Sequence, residues 1–462
     1  MKRLLTFLIV FTLMFSLSTA KICAFENAFE QDSSSGDSGF GDENTSSLEF
    51  SGSLEYKIRS ILDKKSDSDL SYPINSEAEL ELGLDYSRDN SDIKATLAFD
   101  DNGDVALDEA FIRLYYDDFD LEAGKMKVVW GKGDKLHVVD NLNGEDLTDF
   151  INPEYLDRQI AENMVKLNYY LGTGKLEAVY TPEFTANKLD REGDWMLSKV
   201  SKMKELKPIA VKEFGLTDAL EIEDSLAGDE SNEFKDGQLA LRYTNSKGGY
   251  DYGFSIYQGR LKNLSMDKSA IAKLEKGVYR DSQAFLNDLD LHYDEVTVLG
   301  AELSSVLFGI NSRGELAYYL TDDRNGDDPT VHNNKLAWII GGDRDLALHN
   351  VNVNLQVKSE LILDKDKVDD NPADIDYSED YFTNMMVLKV SDDFNNQRIL
   401  PEVSLMYNLE SQDYILDNQL EFIVKDDTSI KFNYKLFQGD GDTLFGQFDE
   451  NDYISMVVNY EF

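Results

Sequence analysis

The chain has 462 residues, with 89 acidic against 45 basic side chains, a formal net charge of −44, 42% hydrophobic and 11% aromatic residues, and one cysteine. A polyanion of this kind cannot neutralise phosphates, which argues against a nucleic-acid partner, and a lone thiol excludes an internal disulfide. The apolar and aromatic content belongs to a folded chain and not an acidic disordered one. Beyond residue 25 no run approaches the roughly 18 consecutive apolar residues of a membrane-spanning helix.

Residues 1–24 read as an export signal, with Lys2 and Arg3, an apolar run from Leu4 to Met14, and small residues around Ser18, Thr19 and Ala20. Cleavage fits after Ala20 or Ala24. The later cut also removes Lys21 and Cys23, and loss of the three cations takes the net charge from −44 to −47. Lys21 and Ile22 stand where a lipoprotein signal carries small residues, which speaks against lipid attachment at Cys23. Residues 25–45 are rich in Ser, Gly, Asp and Glu and read as a flexible periplasmic lead-in.

From 46 to 462 the chain alternates apolar and polar residues with a period of two. Strands are expected at 46–61, 75–88, 92–100, 105–117, 120–130, 162–171, 175–182, 236–246, 249–259, 293–308, 313–321, 334–342, 350–363, 380–391, 400–409, 414–425, 428–438 and 452–462. In the clearest case Val351, Val353, Leu355 and Val357 share one face, and Asn352, Asn354, Gln356 and Lys358 share the other. A two-sheet sandwich would also bury one face of each strand, so the connections decide. Tight ones such as 172–174, 246–249 and 426–427 alternate in strict phase with longer ones, including 62–74, 131–161, 183–235, 260–292 and 439–451. That parity is the asymmetry of outer-membrane barrels, and an even strand number returns both barrel ends to the periplasm. The expected fold is all-β, a transmembrane antiparallel β-barrel of about 18 strands, with 16 the next choice. Ile454, Met456, Val458, Tyr460 and Phe462 lie on one face of the last strand. Such an ending resembles the signal read by the barrel-assembly machinery, with Tyr460 and Phe462 as its aromatic residues.

The most individual segment runs from Glu122 to Pro182 and carries Gly124-Lys125, Trp130-Gly131, Asn152-Pro153, Asp157-Arg158 and a hairpin ending at Pro182. It resembles an uncharacterised family of porin-like bacterial outer-membrane proteins, in which a strand ending in Gly-Lys and Trp-Gly precedes an Asn-Pro loop and another hairpin. The resemblance implies an outer-membrane barrel and solute passage, with no substrate attached. Trp130 is expected at the end of a strand, at the membrane interface. Loops 131–161 and 183–235 are the expected constriction or plug, because barrels of 16 to 18 strands otherwise leave a wide channel. Asp157 and Arg158 would hold the first loop inside. In the second, Trp195 to Phe214 places Lys199, Lys202, Lys204 and Lys207 beside Met196, Leu197, Val200 and Met203 at helical spacing; a surface helix with a solvated face fits equally. Strand phase points Glu302, Glu315, Lys358, Glu360, Lys431 and Lys435 into the pore, and a one-residue slip would turn each outward.

Chemistry beyond electrostatics has little support. His137, His292, His332 and His349 show no metal-ligand spacing, the acidic runs 322–328 and 440–442 lack the ligand order of a calcium loop, and no nucleophile elbow is present. The expected function is a porin-like channel for passive diffusion of small hydrophilic solutes or ions, with a preference for cations, without enzymatic activity, cofactor or metal, and with outer-membrane lipid around it. The alternative is a non-conducting surface adhesin or receptor acting through its external loops. Monomer and trimer both remain open.

Overall fold

The computed structural model describes residues 46–62, 74–204, 237–279, 282–364, 367, 373–376 and 379–462. The signal at 1–24, the lead-in at 25–45, Lys207 and the rest of 205–236 lie outside the described residues, as do the side chains of Lys202 and Lys204.

Eighteen strands form one sheet. They are β1 (Ser46–Ile61), β2 (Ile74–Arg88), β3 (Ser91–Asp100), β4 (Val105–Tyr115), β5 (Phe119–Met126), β6 (Glu162–Leu171), β7 (Gly174–Thr181), β8 (Gln238–Lys247) and β9 (Tyr250–Arg260). The second half comprises β10 (Glu295–Leu307), β11 (Ile310–Thr321), β12 (Lys335–Asp345), β13 (Asn352–Ile362), β14 (Phe382–Ser391), β15 (Ile399–Asn408), β16 (Tyr414–Lys425), β17 (Thr428–Gln438) and β18 (Tyr453–Glu461). Each strand pairs antiparallel with its sequence neighbour. The sheet closes where β1 meets β18, from Ser53 opposite Glu461 to Ile61 opposite Tyr453. Phe462 extends this seam by exchanging both backbone hydrogen bonds with Gly52 at 2.9 Å. Its ring lies over the glycine, 2.4 Å from where a Cβ would stand, so only a residue without a side chain fits there.

Connections on one side of the barrel are two to seven residues long, whereas those on the other reach 56. Exposed apolar residues such as Phe50, Leu167, Leu241, Phe254, Leu299, Leu316, Leu355, Val403, Phe432 and Ile454 stand at the outward positions of successive strands. An apolar girdle of this extent is far larger than a water-soluble surface carries and is at home in lipid. No helix among the described residues is long and apolar enough to cross a membrane; the crossing is made by strands. With about 4.8 Å between strands and a tilt of about 40°, an 18-strand cylinder has a backbone radius near 18 Å. Its interior is a wide hole unless something enters it.

What enters is loop. β5 ends at Met126 and not at residue 130, and the chain then leaves the wall and turns inward. Trp130 is therefore not at the membrane interface: it is 1% exposed, and the Arg242 guanidinium lies 5.7 Å from its ring centroid. The physical reason is the inner wall from β7 to β12, which is apolar where a wet wall would be polar. Val128, Trp130, Val138, Val139 and Leu142 pack there against Val179, Ala240, Tyr257, Val298, Ala317, Ala337 and Ile339. Burying a Trp and several aliphatic side chains against that patch stabilises the in-folded loop by roughly 1.5–3 kcal/mol per large residue.

A second core joins three loops at the mouth above β1 and β16–β18. Phe150, Trp195, Phe445 and Phe448 meet Ile61, Ile415, Phe437 and Tyr453, and Phe150 and Phe448 stand 4.7 Å apart. A third lies in the loop between β9 and β10, a helical hairpin of α1 (Lys268–Glu275) and α2 (Ser282–Leu289) closed around Ala270, Leu274, Phe285 and Leu289. Asp267 caps α1 by accepting from the Ser269 N–H.

Candidate functional site: the narrowed lumen

Four polar anchors hold the loops inside. The first is Glu315 in mid-β11, whose buried carboxylate accepts from the backbone N–H groups of Lys132 (2.7 Å), Gly133 (2.7 Å), Val138 (2.8 Å) and Val139 (3.3 Å), with His137 Nδ1 at 3.3 Å. The loop thus wraps one anion with its own backbone, a nest that requires close approach. Gly131 provides it: its φ is +115°, and a Cβ would come 2.3 Å from the Glu315 Oε1. Burial works against a charged imidazole at His137, yet its bond to Glu315 prevails and raises its pKa above the ordinary histidine value.

Arg59 on β1 is the second anchor and grips Asp149 with both ends of its guanidinium, at 2.5 and 2.6 Å. Lys57 adds a contact at 3.3 Å, and the guanidinium lies 4.6 Å from the Tyr453 ring centroid. The third is Lys262, whose ammonium donates to the carbonyls of Leu142 (3.3 Å) and Thr185 (3.0 Å) and to Glu162 (3.4 Å), so one side chain ties three loops to the wall. Burial lowers its pKa, and Glu162 only partly restores it.

The fourth is Asp294, at the foot of β10. It accepts from Ser265 Oγ (2.6 Å), His332 N–H (2.9 Å) and His332 Nδ1 (2.6 Å), and His292 Nε2 stands 3.1 Å away. Burial disfavours its charge, but these bonds win and hold the carboxyl well below its usual range. His292 is lifted to about 9, mainly by its bond to Asp294, against a smaller burial effect. Serine, histidine and aspartate meet here without the geometry of a nucleophilic triad. Ser265 is fully buried and gives its proton to the carboxylate, while His332 Nδ1 shares that same oxygen. This is a clasp between loops.

Between the anchors lies a cavity of about 820 Å³ at the loop side. Its walls are largely apolar, with Phe150, Ile151, Leu197, Val200, Met406 and Phe445 prominent. Below and beside it the inner wall carries linked charges. Glu122 binds Arg113 (3.0 Å) and Lys166 (3.3 Å), Arg242 bridges Glu177 (3.3 Å) and Glu302 (2.6 Å), and Glu360 sits between Lys358 (2.8 Å) and Lys335 (3.0 Å). On β1 and β2, Glu55, Glu77 and Glu79 face inward and are exposed to solvent.

The six residues assigned to the lumen from strand phase occur in three different settings. Lys358 and Lys435 line the cavity, the latter 3.2 Å from Asp417. Glu360 stands beside Lys358, and Lys431 is half-buried opposite Glu421. Glu302 is spoken for by Arg242, and Glu315 by the loop. Arg158 lines the cavity and bonds within its own loop, to Glu145 (3.0 Å) and the Pro153 carbonyl (2.8 Å), whereas Asp157 is exposed. Lys199 is exposed on a short helix (Ser198–Lys204) that borders the cavity. The anchors Asp149, Lys262 and Asp294 were not singled out from the sequence. One signal for the loop's footprint was present, because β12 reads Lys-Leu-Ala-Trp-Ile-Ile and is apolar on both faces. The acidic runs make turns: Asp323 accepts from the N–H groups of Asp327 and Asp328 (3.1 Å each), and the Asp440 carbonyl accepts from Thr443 (2.9 Å).

Fold and lumen together define a transmembrane β-barrel of porin-like build, an architecture of bacterial outer membranes. No family model matches the chain, and no curated protein sequence matches it. Among solved structures it is similar to OccK11 (OpdR) of Pseudomonas aeruginosa, with TM-score 0.46 and 10% identity over 90% of this chain and 95% of that one. It is similar also to OccAB3 of Acinetobacter baumannii (0.47, 9% identity, 90% and 99% covered) and to a mutant porin of Rh. blastica (0.39, 10% identity, 90% and 100% covered). At these scores the likeness carries no inference about solutes, and the barrel stands on its own closed ladder of strands.

Proposed function

We propose that the chain is a porin-like channel through which small hydrophilic solutes and ions diffuse passively across an outer membrane. The observation that carries this reading is a lumen narrowed by loops that are themselves anchored to the wall by buried charges. A surface receptor has no use for a graded interior, whereas a diffusion channel needs one, since an unobstructed cylinder of 18 strands would be a leak. The expected cation preference has its support in the exposed carboxylates of Glu55, Glu77 and Glu79 on β1 and β2. Tyr460 and Phe462, at the closing seam, are the residues offered to the assembly machinery. The test is a planar bilayer recording on the purified chain. Steady conductance, with a reversal potential of cationic sign in a KCl gradient, supports the channel; persistent silence, with the barrel shown to be folded and inserted, favours a receptor working through its external loops.

A further inference from the structure

We infer that the cavity at the loop side is a binding site for an organic anion with an apolar body, such as an aromatic or medium-chain carboxylate. Acidic side chains outnumber basic ones two to one in the chain as a whole, 89 against 45. The cavity reverses the ratio: its lining holds eight lysine or arginine residues and two carboxylates, Glu154 and Asp417. A lining drawn at random from this chain would be anionic, so the reversal is a property of the site.

Most of those cations have a partner. Lys358 leans on Glu360 (2.8 Å), Lys435 on Asp417 (3.2 Å) and Arg158 on Glu145 (3.0 Å). These carboxylates hold the cations against the wall, yet each lysine carries three N–H donors and retains donors for a ligand. Arg191 and Lys199 differ from the rest, for neither makes an ion pair or a side-chain hydrogen bond with another described residue, whereas Lys268, also without an ion pair, donates to the carbonyls of Asp374 and Ile375. They come from the same loop, eight positions apart, and Leu197, Val200, Phe150 and Phe445 line the same cavity. A guanidinium offers a carboxylate two parallel hydrogen bonds, an ammonium adds a third, and the adjoining surface takes up a hydrocarbon body. A volume of about 820 Å³ falls in the range of small-molecule sites. A cationic, largely apolar pocket is a poor host for a free inorganic cation. An amphipathic anion satisfies both halves of it.

This inference rests on the proposed channel and adds to it an anion-binding pocket apart from the exposed carboxylates of β1 and β2 that support its cation preference; binding is measurable without conduction, so the two stand or fall separately. The probes are 3-phenylpropionate, 3-phenylpropanol and 3-phenylpropylamine, one apolar body with three head groups, titrated calorimetrically into the full chain in detergent. The expected result is saturable binding of the acid, at least tenfold weaker binding of the alcohol and none of the amine. Affinity for the acid should fall as salt rises. The double variant Arg191→Gln/Lys199→Gln changes two side chains that no described ion pair uses. It should weaken the acid at least tenfold and leave the alcohol unchanged. Equal affinity for all three probes, no binding of the acid to a chain shown to be folded by its heat-modifiable migration, or an unaltered double variant would each overturn the inference. Conductance without anion binding removes this site and leaves the channel. Binding without conductance removes the channel and leaves the site.

Discussion

Substituting Glu315 by Gln tests whether the in-folded loop sets the width of the lumen. The native carboxylate accepts four backbone N–H groups at 2.7 to 3.3 Å and pairs with His137. An amide keeps one acceptor oxygen and turns a donor NH₂ toward N–H groups that need an acceptor, which strands about two of them in a buried setting. Each stranded donor costs about 1–3 kcal/mol, and the lost charge assistance adds to that. The four bonds share one carboxylate and are not additive, so the net weakening of loop docking is set at about 3–5 kcal/mol. The apolar packing of Trp130, Val138 and Leu142 remains, and the barrel ladder is untouched. The variant should therefore fold and close normally while the loop samples detached states. Single-channel recordings are expected to show larger mean conductance with frequent stepwise fluctuations, and limited proteolysis should cut between 131 and 143 where the native chain resists. A variant with native conductance, native noise and an uncut loop would refute the argument that Glu315 holds the constriction.

Three further outcomes are expected. Arg59→Met removes the grip on Asp149 and leaves that carboxylate without its bidentate partner; conductance should rise and the 147–152 segment should gain hydrogen exchange. The clasp at Asp294 makes docking of the 261–294 loop pH-dependent. The folded pKa of His292, about 9, lies above its ordinary 6.5, so its contribution is complete below about 6.5 and is lost as pH rises through 9. Asp294 is shifted the other way and contributes fully above its ordinary 3.8, losing this as acid is added. Proteolysis of this loop should accelerate between pH 6.5 and 9, and His292→Gln should flatten that profile. Gly52→Val places methyl groups where the Phe462 ring lies; the variant should show a lower unfolding temperature and less of the fast-migrating form on unheated gels, and additional truncation of Phe462 should partly relieve the defect.

The barrel itself was legible because its two determinants are local. Period-two alternation marks each strand, and connection length marks each side, so all eighteen strands lie within a few residues of their expected places. The one long disagreement is the end of β5, where Lys127 to Trp130 continues an apolar pattern and yet leaves the sheet. Local pattern cannot tell an apolar residue bound for lipid from one bound for an apolar patch of inner wall, because that patch is built from strands up to some 200 positions away. The lumen anchors were illegible for the same reason. Strand phase alone points Glu315 inward, but that four loop N–H groups would enclose it depends on the path of residues 131–139. Asp149 and Lys262 look in the sequence like any other charges of a surface loop. The lining of the cavity draws on several loops and on five strands of the wall, and its reversal of the overall charge is invisible in any single stretch.

The seam between the first and last strands has a consequence for manufacture. Every strand from β2 to β17 has both of its partners next to it in chain order, but the second edge of β1 must wait for Tyr453 to Phe462, some four hundred residues later. Until the final ten residues exist, the growing product is an open ribbon with two bare edges and one oily surface, ready to join any neighbour in the same condition. A message cut short near its end therefore yields no slightly smaller pore. It yields an adhesive sheet, and a cell that makes this protein needs a way to hold or destroy such fragments before they find each other.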